Sequence, residues 1–189
     1  MILTLAVIFG LIATILRARL GDRTLKLPKV RWGWLVFVAV IPQLITFYLP
    51  FSGSWIPESV VPIILIASMI GLVVFVVLNI SLPGFWLLGL GLFSNFIVII
   101  ANGGWMPILT ETLQQMVPTK SIETWEVGAR LGFTKDRIFA VEDVKLGFLA
   151  DRFILLQWIP YKVAFSLGDI LISIGVVVFL WSLSRKVEE

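Results

Sequence analysis

The chain has 189 residues, 59% of them hydrophobic and only 14% charged, with a net charge of +3 and a mean hydropathy of +1.01. Soluble domains are about half apolar and about one quarter charged, so this composition predicts an integral membrane protein. There is no cysteine and no histidine. That excludes disulfides, thiolate nucleophiles, thiolate or imidazole metal ligands, and every triad with histidine as its base. Carboxylates, hydroxyls, lysines and amides are left for chemistry, and neither a cofactor nor a metal site is expected.

A helix needs about 20 mostly apolar residues to cross the hydrocarbon core. The first qualifying run, 1–16, extends to residue 20 if Arg17 and Arg19 snorkel. No basic segment precedes it, which argues against a cleaved signal peptide. Further spans are expected over 32–50, 60–80 and 83–101, with Asn79-Ile-Ser-Leu-Pro-Gly84 as the turn between the last two. A fifth is expected over 165–184.

Orientation follows from the loops. Residues 17–31 carry Arg17, Arg19, Arg23, Lys26, Lys29 and Arg31 against the single acid Asp22. The positive-inside rule makes this loop cytoplasmic, and with it the tail 185–189. The N-terminus and residues 102–164 are then outside. Tryptophan gathers at both interfaces; Trp32, Trp34, Trp86 and Trp181 are assigned to the inner one, and Trp55, Trp105, Trp125 and Trp158 to the outer one. The basic loop is read as a topology signal facing anionic lipid. No aromatic interleaving suggests nucleic acid.

Residues 102–164 carry seven acids and seven bases and too many apolar residues for a solvated linker. A short helix over 107–116, a second over 122–131 and one or two strands between 137 and 154 are expected. The segment should fold against the outer membrane surface or a partner.

Asp169 is the only charge inside any apolar run. A charge at mid-bilayer costs about 2.5–3.5 kcal/mol or more, so Asp169 marks a candidate site. Asn95, Asn102, Asp151 and Asp169, with Arg152, Ser166 and Ser173 nearby, are candidates for one polar cluster on the outer side. The competing structural readings are local. Ser166 and Asp169 have the spacing of a capping box, Asn102-Gly-Gly has the form of a helix C-cap, and Asp151 can pair with Arg152.

Two resemblances attach to these motifs. The order Asn102-Gly-Gly-Trp-Met-Pro107, Gly147-Phe-Leu-Ala-Asp-Arg152, Ser166-Leu-Gly-Asp-Ile-Leu-Ile-Ser-Ile-Gly175 resembles an uncharacterised bacterial membrane-protein family, a domain of unknown function. The last two motifs are also similar to those of signal peptidase II, Gly-Asn-x-x-Asp-Arg and Phe-Asn-x-Ala-Asp-x-x-Ile-x-x-Gly. Phe148 and Ser166 stand where that family has asparagine. The likeness implies Asp151 and Asp169 as a catalytic pair, one carboxyl acting as acid and the other as base.

The expectation is therefore an all-α membrane protein of the bacterial cytoplasmic membrane. Residues 1–101 form a four-helix bundle, 102–164 an extracytoplasmic segment and 165–184 the fifth helix. Its role is non-catalytic, as an accessory or structural subunit contacting lipid and other membrane-protein subunits. The alternatives are an intramembrane aspartic hydrolase and a small transporter.

Overall fold

The computed structural model describes residues 2–49, 56–119, 125–132, 134–155 and 162–186. The chain is mostly helical. Among the described residues the α-helices are α1 (Ile2–Leu20), α2 (Trp34–Tyr48), α3 (Val61–Leu78), α4 (Phe85–Ala101), α5 (Thr110–Met116) and α6 (Leu167–Ser182). The apolar runs become helices because leucine, isoleucine and valine fill them almost without polar interruption. α1, α2, α3 and α4 stop at or just before a glycine, proline or asparagine, while α6 runs out into Leu183-Ser-Arg-Lys186. α1 and α3 are long and apolar enough to cross a membrane, while α2, α4 and α6 are apolar but shorter.

An all-α description needs correcting, because among the described residues three two-stranded ribbons join the helices. β1 (Arg23–Leu25) pairs antiparallel with β6 (Ser184–Lys186), β2 (Met106–Leu109) parallel with β3 (Asp136–Phe139), and β4 (Phe153–Ile154) antiparallel with β5 (Ala164–Phe165). The strands expected between 137 and 154 are present. The helix expected over 107–116 starts at Thr110, since residues 106–109 are drawn into the β2–β3 pair instead. Of the helix expected over 122–131, the described part from 125 onward is turn and bridge, tied to β3 by Gly128 N–H to Ile138 C=O and Ile138 N–H to Ala129 C=O. Pairing with β3 gives this backbone the partners a helix would have supplied. Trp55 and Trp158 lie outside the described residues.

The five apolar helices pack as a layer in the order α1, α6, α4, α3, α2. Glycine sets the closest contact, between α4 and α6. A Cβ on Gly91 would stand 2.5 Å from the Gly168 carbonyl oxygen, and one on Gly175 would stand 2.8 Å from the Gly84 carbonyl oxygen. The two glycines on each side are seven residues apart, so both fall on one helix face and the backbones meet directly. Gly89 turns the other way, toward Val76 of α3; Gly71 packs on Ala39 of α2, and Gly10 on Leu180 of α6.

The described residues of 102–155, with 162–165, form a cap at one end of this layer. Met106 and Leu149 enter one core with Leu65, Met69, Val98 and Ile99, while Ile108, Leu113 and Ile138 form a second core inside the cap. At the opposite end lie the β1–β6 ribbon, residues 26–33 and the turn after α3.

Candidate functional site

α6 begins beside the middle of α4, well short of that helix's end. Ser166 is the N-cap: its Oγ accepts from the Asp169 N–H at 3.0 Å, and Asp169 Oδ2 accepts from the Ser166 N–H at 3.0 Å, completing a capping box. Asn95 of α4 closes the group. Its Nδ2 donates to Asp169 Oδ1 at 3.0 Å, and its Oδ1 accepts from the Ser166 hydroxyl at 2.9 Å. Ser166 is wholly buried and Asn95 nearly so. Both Asp169 oxygens thus have donors, at the end of a helix whose dipole favours a carboxylate.

Asn102 does not join this group, although it shares a face of α4 with Asn95. It ends α4, followed by Gly103 and Gly104 with φ of 70° and 86°. Its amide donates to the Val98 carbonyl at 2.7 Å and to the Lys145 carbonyl at 2.8 Å, and accepts from the Lys145 N–H at 2.9 Å. Asn79, which ends α3 at the other end of the molecule, does the same thing. It donates to the carbonyls of Phe75 and Arg31 at 2.8 and 2.9 Å and accepts from the Arg31 N–H at 2.7 Å. Each asparagine fastens a distant loop to a helix end and satisfies backbone groups that helix termination leaves open.

Asp151 does not pair with Arg152, which is exposed and sits 6.0 Å over the Phe153 ring. It is 2% exposed, bridges to Ile108 beside β2, and its Oδ2 accepts from Lys135 Nζ at 2.8 Å. The same ammonium lies 3.2 Å from Asp136. Asp151 Oδ1 has no hydrogen-bond partner among the described residues. Burial pushes the Asp151 carboxyl up, to about 8, against the pull of Lys135, and the charges of Asp136 and Asp169 push it further the same way. Burial works to lower the Lys135 ammonium, but the three carboxylates more than reverse that and hold it charged. One ammonium among three carboxylates leaves surplus negative charge, and a proton on Asp151 relieves it.

Asp151 and Asp169 are therefore close enough to interact electrostatically, yet each has its own partners and no hydrogen bond joins them among the described residues. Ser173 is directed elsewhere: it lines an apolar groove of about 440 Å³ between α1 and α6, with Phe9 and Ile174. Trp105, expected at the outer interface, is buried in the cap, with Arg137 stacked 4.5 Å over its ring. Arg137 also pairs with Glu58, tying the cap to the start of α3. Lys135 and Asp136 escaped the sequence reading because no motif marks the point where the turn enters β3. Their charge does not single them out in a segment that carries seven acids and seven bases. Among the described residues no group of acids could hold a metal ion.

These observations define a mostly helical protein, with two helices able to cross a membrane, whose polar residues join a small cap to a layer of apolar helices. The chain belongs to DUF5317, a family of unknown function, whose model matches residues 28–181. The match takes in Asn79, Asn95, Asn102, Lys135, Asp151, Ser166 and Asp169, and it bears out the resemblance to an uncharacterised family. No curated protein and no solved structure matches the chain.

Proposed function

We propose that the protein is a multi-pass membrane protein in which α1, α2, α3, α4 and α6 all cross the bilayer, the cap lying outside and the β1–β6 ribbon in the cytoplasm. Its role in this reading is non-catalytic, as an accessory or structural subunit of a bacterial membrane complex. The carrying observation is the outer surface of the helix layer. Phe9, Phe37, Ile63 and Val77 are each more than 60% exposed, on α1, α2 and α3, whose only charged residues are Arg17 and Arg19 in the last turn of α1. Apolar surface of this extent calls for lipid or protein cover.

The polar groups support a structural role. Asp169, Asn95 and Ser166 satisfy one another, and Asn79 and Asn102 hold backbone. Transport would call for polar groups at several depths; toward the inner end Asn79 is already engaged with Arg31, and the Thr14 and Ser182 hydroxyls with carbonyls of their own helices. Purification in mild detergent tests the role. A stable assembly containing other membrane proteins is the expected result, and a monodisperse single chain with full cellular function would contradict it.

One observation favours a second reading, an intramembrane aspartic hydrolase. A carboxyl held protonated near neutral pH, Asp151, lies within electrostatic reach of a second carboxyl, Asp169. Such a pair can divide the roles of acid and base. Asp151→Asn and Asp169→Asn would then each abolish an activity while leaving the fold intact. If cells carrying both substitutions are unaffected, the hydrolase reading fails.

A further inference from the structure

We propose that the end of the molecule formed by residues 17–34 and β6 is a binding surface for the headgroups of anionic phospholipids, with selectivity over zwitterionic ones. The proposal rests on the membrane reading above and adds the identity of the lipid. In the fold, residues far apart in the chain make one surface here. β1 pairs with β6, Lys26 N–H donates to the Leu183 carbonyl at 2.9 Å, and Arg17 donates to the Trp181 carbonyl at 3.0 Å while its guanidinium lies 4.3 Å over the indole ring. Asn79 clamps the far end of the loop at Arg31.

Arg19, Lys26, Lys29, Arg31 and Arg185 are exposed on this surface. Asp22 is the only acid in residues 17–34, and no ion pair reaches these bases among the described residues. Apolar side chains alternate with them. Leu20 and Leu27 are 86% and 85% exposed, and Trp32 and Trp34 stack with ring centroids 5.9 Å apart, each 58% exposed. Nucleic acid would be matched by the charge but not by two nearly bare leucines. A lipid interface matches both, because phosphate meets the bases while leucine and indole enter the acyl boundary. Position agrees, since this surface continues the apolar faces of α1 and α2.

The full-length protein, reconstituted in phosphatidylcholine vesicles with spin-labelled phosphatidylglycerol or spin-labelled phosphatidylcholine, tests this. Immobilisation of the glycerol lipid should exceed that of the choline lipid by about threefold or more at low salt and fall to parity in about 1 M salt. The triple variant Lys26→Gln, Lys29→Gln, Arg31→Gln should lose most of the preference while immobilising the choline lipid as before; Arg31→Lys alone should keep it. Equal immobilisation of both lipids by the unaltered protein overturns the proposal, as does an unchanged preference in an inserted triple variant. If the triple variant does not insert, the salt series on the unaltered protein decides. Immobilisation of neither lipid would instead overturn the membrane reading.

Discussion

At the start of α6, the Ser166 hydroxyl, the Asp169 carboxylate and the Asn95 amide bind one another and two backbone N–H groups. The capping box was legible from Ser-x-x-Asp, since the two residues lie three apart in the chain. Asn95 was named with Asp169 and Ser166 as a candidate for one polar cluster, but which of the candidates it would meet was not legible, because its partners lie on another element. Ser166→Ala removes the cap and leaves Asn95 Oδ1 without its donor, so the expected loss is about 1–2 kcal/mol of unfolding free energy, read by thermal or denaturant unfolding in detergent. Asp151 carries a different signature. Its folded pKa, raised to about 8 from an ordinary 3.8, means that the folded chain keeps a proton the unfolded chain releases between these values. Stability from this group is complete below pH about 4, declines as pH rises, and is lost above about 8. Asp151→Asn imitates the protonated form, so it should be well tolerated at pH 7 and flatten the decline between pH 4 and 8. A melting temperature for the variant that still falls as steeply over that range would contradict the assignment.

Helix–helix contacts are where element-scale information resides. Gly84, Gly89 and Gly91 stand close together in the sequence, but the structure splits them. Gly84 and Gly91 meet α6, and Gly89 meets α3. Spacing alone does not say which neighbour a face will find. Gly91→Ala would drive a methyl group into the Gly168 carbonyl at 2.5 Å and the Ile172 nitrogen at 2.8 Å, both backbone. The expected cost is about 3 kcal/mol, since neither backbone can yield without parting the helices. Gly103→Ala is the control: nothing lies within 4 Å of its Cβ position, and only its φ of 70° opposes the change, for about 1 kcal/mol. Equal melting temperatures for the two variants would show that the seam between α4 and α6 is not packed as described. The small strands were less legible, because two to four residues carry too little periodicity to stand out. β2 in particular hides inside what reads as the start of a helix.

Across the whole molecule, the ends are chemically unlike. One carries the basic ribbon and the turn that Asn79 fastens to Arg31; the other carries the cap, held by Asn102, by Arg137 with Glu58, and by the core that Met106 and Leu149 share with α3 and α4. The basic loop and the distinct segment after α4 were legible in loop charge and span length, because those follow from composition over many residues. The pairing of β1 with β6 and the ammonium inside the cap were not, since both join segments that no local pattern connects. Because the chain has no cysteine, one introduced thiol reports alone, and this allows the most direct test of the membrane reading. Lys29→Cys, Ser81→Cys and Glu142→Cys, all exposed positions, are labelled in intact cells with a membrane-impermeant maleimide. The five-crossing arrangement predicts labelling at 142, and at 29 and 81 only after permeabilisation. Labelling of residues 29 and 142 from the same side would contradict it.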